Sequence, residues 1–124
     1  MMDEVTGKII GAAMKVHSAL GPGLLESSYE SCLIHELEER NMNVKSQVVL
    51  PVIYKRIRMD VGYRCDLVVE ERVIVEIKSV ETVLPLHRAQ MVSYLKLSGM
   101  KVGLLINFNS VRLKDGITRL VNGL

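Results

Sequence analysis

Aromatic side chains are scarce in this chain: one Phe, four Tyr and no Trp among 124 residues. A base-stacking platform of the kind that grips single-stranded nucleic acid is therefore poorly supported. Cysteine is nearly absent. Cys32 and Cys65 stand alone, without a Cys-x-x-Cys or a Cys/His cluster, and give no support to zinc or iron–sulfur ligation. They read as core thiols in a reducing compartment. No apolar run is long enough to span a bilayer, and Met1-Met2-Asp3-Glu4 is not the start of a secretory leader. A cytoplasmic protein without membrane contact is expected. Phosphate loops are missing as well, since Gly21-Pro22-Gly23 falls between two helical patterns and follows no strand. There is no Gly-x-Ser-x-Gly elbow and no Ser/His/Asp arrangement. Charge is nearly balanced, with 16 basic against 14 acidic residues and a net of +2. That balance permits a nucleic-acid partner without demanding one.

What remains is an ordinary globular composition, 48% hydrophobic and 24% charged, at the length of one domain spanning residues 1–124. Val5, Ile9, Ala12, Ala13, Val16 and Leu20 follow helical spacing and predict a helix over about 4–20. The Gly-Pro-Gly break opens a second helix from about Leu24 to Arg40. Val44 to Tyr54 reads as a strand, edged or irregular at Pro51, and Lys55-Arg56-Ile57-Arg58 as a basic turn. Pro85 and Gly99 bracket a third helix. A buried strand over Lys101–Phe108 and a short strand within Gly116–Val121 complete the order. Helix, helix, three strands, helix, strand predicts one mixed sheet flanked by helices, an α/β fold.

The chemistry concentrates between Arg64 and Lys78. If Glu70, Glu71 and Arg72 form a three-residue loop, Val69 faces Val73 and Asp66 lies opposite Glu76. Period-2 alternation puts Glu76 and Lys78 on one face, while Leu67, Val69, Val73, Val75 and Ile77 form a wholly apolar opposite face. Two carboxylates and an amine behind a hydrophobic sheet are costly unless a cation or a reaction needs them. Asp66 and Glu76 suit an oxygen-liganded divalent ion such as magnesium. Lys78 could steady charge on a phosphodiester or orient a water. Spacing alone leaves a plain surface ladder, Arg64 across from Lys78, equally open.

Other positions divide similarly. Glu26 falls inside the apolar arc of the second helix with Leu25, Tyr29, Cys32, Leu33 and Leu37, and is expected to point inward, although Glu36 shares the arc. Gln90 and Tyr94 lie one turn apart on a third helix that reads as buried on two sides. They suit satisfied core polar groups as well as a site. His17 and His87 read as structural or solvated and His35 as a helix-surface residue. Lys55, Arg56 and Arg58 suit phosphate contacts or a solvated turn.

Taken together, Asp66, Glu76-Ile77-Lys78, Gln90-Met91-Val92-Ser93-Tyr94 and Gly23-Leu24-Leu25-Glu26-Ser27-Ser28-Tyr29 resemble the PD-(D/E)XK nuclease superfamily. More narrowly, they look like its small stand-alone GxxExxY group. The resemblance covers essentially the whole chain. It implies a restriction-endonuclease-like core, helix–three strands–helix–strand, with an extra N-terminal helix. It further implies Asp66, Glu76 and the Ile77 carbonyl as ligands of Mg2+ or Mn2+, and Lys78 as the catalytic lysine. Glu26 would add an acidic ligand or position water, and Gln90 and Tyr94 would hold the lysine, the scissile phosphate or nearby backbone. Cys65 stands where the superfamily's name has proline, and its side chain is expected to point away from the metal face.

The first functional reading is a metal-dependent nuclease acting on nucleic acid, DNA before RNA. The second is a catalytically silent nucleic-acid-binding or regulatory protein on the same fold. A third is an interaction subunit, a homodimer burying an apolar strand edge or helix face.

Overall fold

The structure is a computed structural model, and it describes residues 3–123. Helix α1 runs Glu4–Leu20, started by the Asp3 carboxylate, which accepts the Thr6 N–H at 2.7 Å. Its apolar stripe, Ile9, Ala12, Ala13 and Val16, is buried. Helix α2 runs Glu26–Glu39 and buries Tyr29, Leu33 and Leu37. It begins two residues later than the sequence predicts. The Gly21-Pro22-Gly23 turn, with Gly23 at φ +101°, carries the chain past Leu24, whose N–H donates to the Tyr29 hydroxyl at 3.1 Å. Leu25, expected on the apolar arc, is 75% exposed.

Among the described residues seven strands follow: β1 (Val44–Val49), β2 (Val52–Tyr54), β3 (Ile57–Met59), β4 (Arg64–Val69), β5 (Val73–Lys78), β6 (Val102–Asn107) and β7 (Ile117–Val121). Five of them form a mixed sheet in the order β1-β4-β5-β6-β7, with β5 and β6 parallel and the other neighbours antiparallel. Helix α3 (Pro85–Ser98) makes the crossover between the parallel pair, as such a connection requires. Its ends are the expected ones, Pro85 in the first turn and Gly99 at φ +75° after the last. A 3-10 turn, Leu113–Gly116, leads into β7.

Helices α1 and α2 cover one sheet face, contributing to a core with Leu67, Val69, Val73, Val75 and Ile77, the apolar set expected from alternation. On the other face α3 places Met91, Tyr94 and Leu95 against Leu50, Cys65, Val68 and Ile74. Two expectations need correction. The segment 44–54 is not one strand. It breaks at Leu50-Pro51, where proline offers no N–H, and the basic segment after it is a tight Lys55-Arg56 turn inside a separate β2–β3 hairpin. Five strands, not three, therefore lie between α2 and α3. Helix α3 is also buried on one side only: Leu86 is 74% exposed, and Gln90 and Ser93 face solvent. Among the described residues no helix is long and apolar enough to cross a membrane.

Candidate active site

The β4–β5 turn fixes the register on which the site depends. Glu70 and Glu71 take positive φ (54° and 53°), Arg72 N–H closes onto Val69 O at 3.0 Å, and Val69 pairs with Val73. Val68–Ile74 and Leu67–Val75 follow, so Asp66 arrives opposite Glu76. There the side chain takes over from the backbone: Asp66 Oδ2 accepts the Ile77 N–H at 2.8 Å.

The other neighbour of β4 is distorted at the same level. Ser46 pairs with Leu67 and Val48 with Cys65, while the intervening Gln47 adopts φ +51°. This left-handed conformation is uncommon for a residue with a side chain. Gln47 Nε2 donates to Glu30 Oε1 at 3.0 Å and to Asp66 Oδ1 at 3.4 Å, joining α2 to β4. Glu26, one helical turn before Glu30, accepts the Ser79 N–H at 3.2 Å just beyond β5. Glu26 is exposed, not inward-pointing as the arc suggested. It occupies the first residue of α2, where a carboxylate also suits the helix dipole, and its partner is backbone.

Glu76 is the outlier of the group. It is 7% exposed, and its Oε1 is buried with no hydrogen-bond partner. Burial, followed by the adjacent Asp66 carboxyl, pushes its pKa up to about 9, with Lys78 and the Asp66 backbone pulling the other way. Burial also raises Glu30, with the Asp66 and Glu26 charges adding to it. Lys78 is half-buried and lies close enough to act on Glu76, yet among the described residues no ion pair includes Arg64, Asp66, Glu76 or Lys78. The surface-ladder alternative is thus not what forms. Beyond Lys78 the chain is clamped by buried Asn107, which accepts the Val80 N–H at 3.1 Å and donates to Val80 O at 2.9 Å.

A buried carboxylate oxygen without a donor, beside a second carboxylate, fits an oxygen-seeking divalent cation. Asp66 and Glu76 could hold one, with Glu30 and Gln47 behind Asp66 fixing its orientation. Sequence reasoning missed Glu30 and Gln47, although Glu30 follows Glu26 at helical spacing and shares its side of α2. Tyr94 is buried on α3, its pKa raised by burial and then by the Glu76, Cys65 and Asp66 charges. Gln90 lies exposed on the rim of a groove of about 330 Å³ that also includes Tyr63, Leu86, Tyr94 and Leu97. Cys65 does not turn away as expected. It is buried with Ile74 and Tyr94, and burial and then the Glu76 charge push its thiol up to about 12. A thiol held in that state is an inert core group.

The remaining candidates have local explanations. His17 Nε2 bonds to Ser110 O at 2.8 Å, and His87 Nδ1 accepts the Leu84 N–H at 3.0 Å. His35, Glu36 and Glu39 bring ligand atoms together on α2, but His35 pairs with Glu39 and Glu36 with Arg40, ordinary neighbours at i,i+4. A larger cavity of about 640 Å³, lined in part by Lys45, Val68, Arg72 and Val102, lies at the opposite end of the sheet from Lys78.

Tyr29 explains the local motif around Glu26. Its hydroxyl donates to Gly21 O and accepts from Leu24, and its ring stacks on Phe108 at 4.5 Å. Ser79 Oγ donates to Leu24 O at 2.6 Å, so the turn before α2 is fastened to the end of β5. No curated protein and no solved structure matches the chain. The family profile described as the PD-(D/E)XK nuclease superfamily matches residues 3–120, and the mixed sheet with flanking helices agrees with its restriction-endonuclease-like fold. The chain belongs to the PD-(D/E)XK nuclease superfamily.

Proposed function

We propose that this protein is a metal-dependent nuclease of the GxxExxY group, hydrolysing phosphodiester bonds in nucleic acid, with DNA as the preferred substrate. Superfamily membership supports a nuclease-like function and a divalent-metal requirement in general. The observation that carries the specific reading is the orphaned Glu76 Oε1, buried beside Asp66. A charged pair there would be untenable without a cation, and a purely binding protein gains nothing from carboxylates turned toward a phosphate backbone.

In this reading Asp66 and Glu76 hold Mg2+ or Mn2+, joined by the Ile77 carbonyl. The bound ion supplies an activated water and neutralises charge on the scissile phosphate. Lys78 places its ammonium beside that phosphate, held by the β5–β6 pairing opposite Asn107. Glu26 orients water from the end of α2. Gln90 and Tyr94 line the substrate side of the site from α3. The cytoplasm is the proposed location, consistent with two unpaired thiols.

The test is cleavage of labelled DNA and RNA, single- and double-stranded, with Mn2+ or with EDTA. The wild-type chain should cut only with the metal. Glu76→Ala and Lys78→Ala should each lose cleavage by about a hundredfold or more while keeping the wild-type circular dichroism spectrum. Equal cleavage by wild type and both purified variants would refute the assignment. Salt-sensitive binding without cutting by the wild type would favour the silent nucleic-acid-binding alternative.

A further inference from the structure

The β2–β3 hairpin stands apart from the main sheet and is poorly explained by packing. It pairs only with itself, Val52 with Met59, Ile53 with Arg58 and Tyr54 with Ile57. Two-stranded ribbons of this length are marginal in water by themselves. Nevertheless Ile53, Tyr54 and Ile57 are each 58% exposed. Its turn is also unusual. Lys55 and Arg56 occupy positive φ (49° and 67°), positions that two-residue hairpin turns fill best with Asn-Gly.

The other turn with two positive-φ residues makes a useful contrast. Glu70 donates its N–H to Asn43 O and Glu71 pairs with Lys45, so that turn is tied to the body. Among the described residues, Lys55 meets only the ring of its neighbour Tyr54, at 5.5 Å, and Arg56 has no ion pair. A strained backbone thus holds two unneutralised cations at the tip of an apolar ribbon.

Position gives this arrangement a direction. The ribbon leaves β1 at Val49 and rejoins at Arg64, and its root is closed by Leu50 N–H to Tyr63 O at 2.8 Å. The Tyr63 ring lies 6.4 Å from that of Tyr94, which senses the Glu76 and Asp66 charges. The hairpin therefore rises beside the candidate active site, while the acidic Glu70–Glu71 turn lies at the far end of the sheet. Resting on the nuclease reading above, we propose that this ribbon is a duplex-DNA clamp. It enters a groove, with Lys55 and Arg56 on phosphates and the cross-strand partners Tyr54 and Ile57, which share one face of the ribbon, against base edges. A two-stranded ribbon is about the width a major groove of roughly 12 Å admits, and the tip charge complements a polyanion.

The test measures binding of the full chain to a short fluorescent DNA duplex and to the matching single strand, in EDTA so that nothing is cut. The variant K55N/R56G installs the preferred turn while removing both cations, so its melting temperature should equal or exceed that of the wild type. Its slope of log affinity against log salt should be shallower by about 1.8, about 0.9 for each lost phosphate contact. Between about 50 and about 200 mM salt the wild type should lose roughly tenfold more affinity than the variant. Duplex should bind more tightly than single strand. Unchanged slope and affinity in the variant would overturn the clamp while leaving the nuclease reading standing. Equal binding of single strand would overturn groove entry. A homodimer broken by I53S/I57S with DNA binding intact would assign the ribbon to a second copy instead. A wild type that binds no nucleic acid would sink both readings together.

Discussion

Replacing Glu76 by glutamine separates the cost of this carboxylate from its purpose. Its folded pKa of about 9 lies above the ordinary value of 4.5, so the native state holds the proton more tightly than the unfolded chain does. The stability that this proton confers is complete below pH 4.5 and drains away as pH rises toward about 9. From pH 5 to pH 7.5 the loss is about 3 kcal/mol, at about 1.4 kcal/mol per pH unit. Burial is nearly complete, so solvent screening takes little from this figure. Glutamine copies the protonated acid and does not titrate. In EDTA, wild type and Glu76→Gln should therefore be nearly equal in stability at pH 5, with the variant ahead by about 3 kcal/mol at pH 7.5. Urea unfolding across this range measures the difference and cancels the groups both proteins share. Millimolar Mg2+ should then narrow the gap at pH 7.5 by stabilising the wild type alone. A pH-independent difference between the two proteins would refute the burial argument. Equal stabilisation of both by Mg2+ would move the cation elsewhere.

Two further substitutions probe the frame around the site. Tyr29→Phe removes the hydroxyl bridging Gly21 O and Leu24 N–H while keeping the Phe108 stack; it should cost about 1–3 kcal/mol in urea unfolding. An unchanged midpoint would show that the bridge is replaced by water. Gly116→Ala would put a methyl 2.5 Å from Asn107 O, beside the residue that clamps Val80. A cost of about 1–3 kcal/mol is expected, and thermal denaturation with no shift would contradict the tight packing drawn there.

Much of this layout was legible because local patterns and tertiary contacts agree. Ile9, Ala12, Ala13 and Val16 announced α1, and Pro85 with Gly99 bracketed α3. The Glu70–Arg72 loop set the register that brings Asp66 opposite Glu76. The failures have equally local causes. Glu26 misled because its helix starts on it, so a position inside the apolar arc lies on an exposed first turn. The β2–β3 hairpin was missed because Lys55-Arg56 takes a backbone conformation those residues rarely choose. Gln47 and Glu30 depend on contact between α2 and β1, which no spacing rule encodes. Cys65 escaped simple alternation at the level where β1 distorts at Gln47.

The most direct measurement is an anomalous difference map from crystals of the wild-type chain soaked in Mn2+. A peak is expected between the Asp66 and Glu76 carboxylates, absent in Glu76→Gln. Density only at His35, Glu36 and Glu39 on the surface of α2, or the same peak in the variant, would contradict it.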